Sequence, residues 1–102
     1  MIDQSILHAE PPGLVVLAGG RFVVSVAYFM ELQRLVQDRI ADLPAREIVT
    51  VEWLLGVPFW HQLSAGDRRV AGLCISRMAS ERSLPLTRCT IPGKTCAYYR
   101  LP

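Results

Sequence analysis

The chain lacks the features that mark membrane-spanning and disulfide-stabilised secreted proteins. Its longest apolar run, Phe22 to Met30, is interrupted by Ser25 and is far shorter than the roughly 20 residues that a bilayer-spanning helix needs. No cationic leader precedes this run, as a secretory signal would require. Three cysteines are an odd number and too few for a disulfide scaffold. These absences predict a soluble, cytoplasmic protein without a membrane partner.

The sequence also lacks the short motifs that accompany catalysis, phosphate binding and structural zinc. No serine lies in a Gly-x-Ser-x-Gly setting, and Gly19-Gly20 lacks the Lys-Ser/Thr pair of a phosphate-binding loop. The possible zinc ligands are Cys74, Cys89, Cys96 and His61. No pair of them has the Cys-x-x-Cys spacing of closed zinc sites. We therefore expect no enzyme, no catalytic residue, no cofactor and no metal.

Length and composition predict one self-sufficient domain. A chain of 102 residues buries roughly two-thirds of its unfolded surface, which is enough to fold without metal or disulfides. With 51% hydrophobic and 20% charged residues, the chain is on the apolar side of the globular range. Some of that apolar excess is available to cover a subunit interface.

Positive charge is concentrated in the last part of the chain. Residues 64–102 contain seven of the eleven Lys/Arg residues but only two of the nine acidic ones. Residues 1–63 have the opposite balance, with four arginines against seven carboxylates. The small net charge of +2 hides this polarity. Such asymmetry favours an anionic partner for one end of the molecule, and nucleic acid is the first candidate.

Residues 13–42 have the pattern of a β-hairpin followed by a helix. The apolar, β-branched runs Leu14–Leu17 and Phe22–Val24 flank a turn containing Gly19-Gly20, and glycines there supply the positive φ angles of a tight hairpin. Ser25 is a suitable N-cap for a helix that ends near Ala41. We expect this half to be a possible dimerisation element. A linker around Pro44 follows it.

The sequence of residues 50–102 predicts a short and a long helix, with one helical turn between them, and then a second hairpin. Thr50 and Ser64 are the expected N-caps of a short helix, Val51 to Leu55, and of a long helix, Ala65 to about Glu81. A further helical turn, Phe59 to Leu63, lies between them. Strands through Ile91 and from Lys94 to Leu101 should enclose a turn at Pro92-Gly93. The whole chain is thus predicted to be a single α+β domain whose second half is winged-helix-like.

In the winged-helix arrangement the second helix enters the DNA major groove and the hairpin contacts flanking phosphates. A helical wheel places Arg69, Gly72, Ser76 and Ser80 on one face of the long helix. The predicted DNA-binding residues are Arg68, Arg69, Ser76, Arg77, Ser80, Arg88, Lys94 and Arg100. The competing interpretation is that these are solvated surface arginines, because no dense Lys/Arg run is present.

Two further expectations concern the C-terminal hairpin. If Pro92-Gly93 is a two-residue loop, Cys89 and Cys96 lie directly opposite each other. In a reducing cell we expect two free thiols there, although a cross-strand disulfide is geometrically conceivable. Alternation along the second strand turns Tyr99 inward and leaves Tyr98 exposed.

The run from Thr50 to the C-terminus resembles a group of short, largely uncharacterised bacterial proteins. The shared pattern is carried by Phe59-Trp60-His61-Gln62-Leu63-Ser64, Gly66-Asp67-Arg68-Arg69, Ala71-Gly72-Leu73-Cys74, Leu84-Pro85-Leu86 and Tyr99-Arg100-Leu101. This resemblance covers about half of the chain. It implies a winged-helix-like shape and no established activity.

Together these observations predict a small DNA-binding regulator of transcription or of a mobile element, with duplex DNA as partner and a possible homodimer as the active form. The alternative is a protein-binding inhibitor or adaptor of phage or plasmid type, with the same shape and no DNA binding. Phosphate contact would make binding strongly salt-dependent, which separates the two.

Overall fold

The computed structural model describes residues 13–94 and 96–102. Its elements follow in the order β1 (Leu14–Leu17), a 3-10 turn (Ala18–Gly20), β2 (Phe22–Ser25), α1 (Val26–Asp42), β3 (Ile48–Thr50), α2 (Val51–Leu55), α3 (Val57–Gln62), α4 (Ala65–Ser80), β4 (Thr87–Cys89) and β5 (Tyr98–Arg100). The expected α+β fold with a β-hairpin in each half is confirmed.

The N-terminal hairpin, β1 and β2, continues directly into α1. The two strands pair antiparallel with Leu17 opposite Phe22 and Leu14 opposite Ser25. Gly19 and Gly20 have φ angles of 65° and 95°, a region that glycine adopts without strain. The Ser25 hydroxyl accepts a hydrogen bond from the Tyr28 backbone N–H at 3.0 Å and caps α1 as the sequence predicts.

A second sheet joins the middle of the chain to its C-terminal part. Its strand order is β3-β5-β4, and both pairings are antiparallel. The Leu101 N–H extends the β3-β5 pairing by donating to the Glu47 carbonyl at 2.8 Å. The sequence interpretation did not include β3, because a three-residue strand directly before a helix gives no alternation to detect.

Three helices connect β3 to β4. The chain turns between α2 and α3 at Gly56, whose φ of 92° is in a region that residues with a Cβ rarely adopt. The Ser64 hydroxyl caps α4 by accepting from the Asp67 N–H at 3.1 Å. Thr50 precedes α2 but makes no side-chain capping bond. Within the two described ranges, no helix is long and apolar enough to cross a bilayer.

The C-terminal hairpin, residues 87–100, has a different register from the predicted one. Cys89 lies opposite Tyr98, not Cys96. The Lys94 N–H donates to the Ile91 carbonyl at 3.1 Å, so Pro92-Gly93 does form a tight turn. Pairing stops well before that turn, which leaves the loop between Cys89 and Tyr98 wider than two residues. The three cysteines are free thiols, and burial raises the pKa of the Cys74 thiol to about 11.

One cluster of buried side chains connects the N-terminal hairpin, three of the helices and the second sheet. Leu32 of α1, Leu54 of α2, Ile75 of α4 and Tyr99 of β5 are completely inaccessible to solvent. Val15 and Leu17 extend the same cluster into the N-terminal hairpin. The helix of the predicted dimerisation element therefore packs directly on the helices of the predicted winged-helix-like half.

Candidate nucleic-acid interface

Three residues of the α4 face that the sequence analysis singled out form a line along the helix, with Leu73 in place of Gly72. Arg69, Leu73, Ser76 and Ser80 follow one another at intervals of three or four residues, so they form a single stripe along the helix. Arg69 and Ser80 are exposed, while Leu73 and Ser76 are half-buried. We call this line of four residues the outer stripe of α4. It combines one cation, two hydroxyl groups and one apolar side chain.

The C-terminal hairpin lies beside this stripe and is tied to it by Arg88. In the sheet Arg88 is paired with Tyr99, so both side chains project from the same sheet face. Tyr99 packs into the core on that face, and the Arg88 Nη1 donates to the Ser76 hydroxyl at 3.3 Å. This bond places a guanidinium group of the hairpin directly over the middle of α4.

The Arg88–Ser76 contact divides a groove between α4 and the hairpin into two parts. The larger part has a volume of about 580 Å³, and its walls include Trp60, Arg69, Gly72, Leu73 and Ala97. The smaller part has a volume of about 500 Å³ and extends past Ser80 and Arg82. Ser76 and Arg88 line both parts. Arg69 and Ser76 thus line the larger part, and Ser76 and Ser80 line the smaller part.

Two of the predicted DNA-binding arginines make intramolecular contacts instead of joining the stripe. Arg68 turns back to α3, where its Nε donates to the Trp60 carbonyl at 3.1 Å and its guanidinium lies 5.4 Å from the Trp60 ring centroid. Arg77 Nη1 donates to the Val16 carbonyl at 2.8 Å. Its Nε contacts the Glu81 carboxylate at 3.1 Å. Both arginines connect α4 to its neighbours.

The remaining two predicted cations lie on the C-terminal hairpin but in different directions. Arg100 follows the buried Tyr99, so it points to the opposite sheet face from Arg88. Lys94 is exposed next to the Pro92-Gly93 turn. The predicted DNA-binding cations therefore do not all lie on one surface. The structure brings together Arg69, Ser76, Ser80 and Arg88, and it separates Arg68, Arg77 and Arg100 from them.

Two buried hydroxyl groups belong to residues that line the larger part of the groove. The Thr50 Oγ1 and the Tyr99 Oη have no hydrogen-bond partner among the described residues. Burial raises the pKa of Tyr99, while the adjacent Ser76 hydroxyl and the charge of Arg88 oppose that rise. The Ser76 hydroxyl is close, but its geometry does not complete a hydrogen bond to Tyr99. An unsatisfied buried hydroxyl costs stability, and both of these hydroxyl groups belong to residues beside the groove.

Sequence reasoning missed Arg82, which lines the smaller part of the groove. Its φ of 60° is in the left-handed region that glycine usually occupies after a helix. The Ser83 N–H donates to the Met78 carbonyl at 2.9 Å, and the Arg82 N–H donates to the Ala79 carbonyl at 3.2 Å. These are the two bonds of a Schellman motif. An arginine at this position adds a cation beside Ser80 at some conformational cost.

Among residues 13–94 and 96–102, no three His, Cys, Asp or Glu side chains lie close enough together to hold a metal ion. Comparison of the chain with protein-family models, with curated proteins and with solved structures found no match. The interpretation of this site therefore depends on its geometry alone.

Proposed function

We propose that the protein is a small DNA-binding regulator of transcription or of a mobile element. In this proposal α4 lies in the major groove and the C-terminal hairpin contacts the flanking backbone. The observation that supports it is the outer stripe of α4, where Arg69 and Ser80 are exposed and the half-buried Ser76 accepts a hydrogen bond from Arg88. Arginine and serine are side chains that hydrogen-bond to base edges and to phosphates.

The order of the elements supports the same proposal. A helix, a strand, two further helical units and a hairpin follow one another, and the first strand pairs with the last one. This order resembles that of a winged-helix module, in which α1 would be the first helix, α2 and α3 together the second, and α4 the recognition helix.

In this proposal the cations have different roles in DNA binding. Arg69 lies where α4 would meet base edges or phosphates, whereas Arg82, Arg88 and Lys94 flank the helix as phosphate contacts. Arg68 and Arg77 would act indirectly, by fixing α4 against α3 and against the N-terminal hairpin. Arg100 would contact DNA only if the backbone wrapped around the outer face of the C-terminal hairpin.

Exposed apolar side chains on the N-terminal half favour a dimer. Val23 and Met30 are 53% and 52% exposed, and Leu14 and Val26 are 39% exposed each. Leu14 is paired with Ser25 and Val23 with Val16, so Leu14 and Val23 project from the same face of the N-terminal hairpin. A two-fold dimer through this region would present two copies of α4 to successive half-sites about one turn apart, which raises affinity for a weak single module.

Salt dependence tests the proposal directly. Each phosphate contact contributes a slope of about −0.9 to the plot of log affinity against log salt concentration. Four phosphate contacts should lower the affinity on the order of 100-fold between 50 and 200 mM salt. The residues that would make these contacts are Arg69, Arg82, Arg88 and Lys94. The measurement is fluorescence anisotropy on random-sequence duplex DNA at four salt concentrations. No measurable binding at 50 mM salt would contradict the proposal.

Gly72 provides a second test, because no atom lies within 4 Å of the position that a Cβ would occupy there. Gly72→Ala should raise the free energy of unfolding by about 0.5–1 kcal/mol, since glycine is unfavourable within a helix. It should also weaken DNA binding, because the added methyl group enters the groove beside the outer stripe. Thermal unfolding and anisotropy measure the two effects.

The matched control for that test is Gly66→Ala, in the first turn of the same helix, where the nearest atom to the new Cβ is the Ser64 Oγ at 4.0 Å. We expect this variant to leave DNA binding unchanged. Equal binding by the Gly72→Ala variant and the unmodified protein would show that this face of α4 does not approach DNA closely.

The apolar part of the groove supports the alternative function, a protein-binding inhibitor or adaptor. Trp60, Leu73 and Ala97 are apolar, and duplex DNA offers little that would cover them. Binding to a protein through these residues would depend weakly on salt, so the same titration separates the two functions.

A further inference from the structure

We propose that the larger part of the groove, between α4 and the C-terminal hairpin, binds a small aromatic carboxylate. This inference is independent of DNA binding and is tested on the protein without DNA. The depression of about 580 Å³ falls within the usual size of small-molecule sites, about 300–1,000 Å³. Such sites are mainly apolar with a few polar groups at fixed positions, which is the composition found here.

The anionic end of the ligand is assigned to Arg88 and Arg69. Both line the groove, and in the described ranges neither has a carboxylate within ion-pair distance. Arg88 contacts the neutral Ser76 hydroxyl, and Arg69 lies 5.3 Å from the Phe22 ring centroid. Guanidinium groups without an anionic partner are well suited to bind a carboxylate, because that hydrogen bond is charge-assisted and can be bidentate.

The apolar end of the ligand is assigned to the wall formed by Trp60, Leu73 and Ala97. Trp60 and Leu73 pack partly against the core, so their positions are fixed before any ligand arrives. A flat aromatic ring fits between such side chains at little conformational cost. Glu52 also lines the groove, 3.4 Å from the His61 Nε2. Its charge disfavours a carboxylate at that end and thereby orients the ligand towards Arg88.

The unsatisfied hydroxyl groups of Thr50 and Tyr99 are the second observation that points to a ligand. Both residues line the same groove, and Tyr99 is completely buried. A buried hydroxyl without a partner costs free energy, which a polar ligand atom would recover once the side chains that cover these oxygens move aside.

Ligand binding would also regulate the proposed function, and this consequence depends on that function being correct. The same guanidinium groups of Arg69 and Arg88 would contact either a carboxylate or DNA. The two ligands would therefore compete, and the small molecule would release the protein from DNA.

The test is isothermal titration calorimetry with 2-naphthoate, and with 2-naphthalenemethanol as a neutral ligand of the same shape. We expect the carboxylate to bind about tenfold or more tightly than the alcohol, because a hydrogen bond to a charged group is worth more than a neutral one. Arg88→Gln should remove most of that difference, and Arg69→Gln a part of it. The control Arg34→Gln, in an exposed ion-pair group on α1, should bind both ligands like the unmodified protein.

Chemical-shift changes in ¹⁵N-labelled protein keep the proposal testable if the Arg88→Gln variant does not fold. Saturating 2-naphthoate should shift the Trp60 indole N–H and the backbone amides of Gly72 and Ala97 more than those of α1. Absence of binding at millimolar 2-naphthoate, equal affinity for the two ligands, or shifts centred elsewhere would each overturn the proposal. None of these results depends on whether the protein binds DNA.

Discussion

Replacing Leu32 by alanine should lower the free energy of unfolding by about 2–5 kcal/mol, because truncation of a buried leucine loses transfer free energy and leaves a cavity. Leu32 is completely buried on the helix that packs against both α2 and α4. That loss is a large share of the 5–15 kcal/mol that typically stabilises a domain. Urea unfolding followed by circular dichroism measures it.

Leu14→Ala is the matched control, since Leu14 is 39% exposed and surface truncations usually cost about 0.5 kcal/mol or less. We expect a single cooperative transition in every variant, because one cluster of buried residues includes both halves of the chain. Two separate transitions, with only the first shifted by Leu32→Ala, would show that residues 13–42 fold apart from the rest.

The double variant Arg69→Ala plus Lys94→Ala should weaken DNA binding by about 30-fold or more at 100 mM salt, from loss of a base-edge or phosphate contact on α4 and a phosphate contact at the turn. The salt slope should fall by about 1–2. Both side chains are exposed, so we expect little change in stability. Fluorescence anisotropy with the same duplex measures the affinity.

The control for the double variant removes the same charge elsewhere. Arg34 and Arg46 lie on α1 and in the loop after it, and both are exposed. Arg34→Ala plus Arg46→Ala should bind DNA nearly as well as the unmodified protein. If both double variants bind DNA as tightly as the unmodified protein, α4 and the C-terminal hairpin are not the DNA contact surface.

Local signals in the sequence predicted much of the fold. Ser25 and Ser64 cap the two long helices as expected, because an N-cap serine needs only the backbone three residues ahead. The N-terminal hairpin follows from two glycines between apolar runs. Strict alternation predicted that Tyr99 turns inward, and Tyr99 is buried, whereas Tyr98, which was predicted to be exposed, is half-buried. Each of these features depends on residues close together in the chain.

Features that depend on distant residues could not be predicted in the same way. The β3 strand exists because β5 pairs with it, and the three residues of β3 carry no periodic pattern of their own. The register of the C-terminal hairpin depends on the burial of Tyr99 as well as on the turn at Pro92-Gly93. The two-residue loop that we assumed there placed Cys96 opposite Cys89, whereas Cys89 lies opposite Tyr98.

The candidate site shows the same limit. The helical wheel correctly grouped Arg69, Ser76 and Ser80, but it could not show which cations turn towards other elements. Arg77 reaches a carbonyl 61 positions earlier in the chain, and nothing near Arg77 in the sequence indicates that contact. Trp60 and Leu73 line the groove because α3 and the C-terminal hairpin lie beside α4, and the sequence does not indicate that arrangement.

The middle strand of the second sheet, β5, comes after every other element of that sheet. Until residues 98–100 have left the ribosome, β3 and β4 have no partner, and the space that Tyr99 fills in the core stays open. A growing chain therefore exposes two strand edges and an unfilled core during synthesis, a state in which intermediates aggregate. Slow translation of the codons for β5 would prolong that exposure, so the yield of folded protein should depend on how quickly this strand is made.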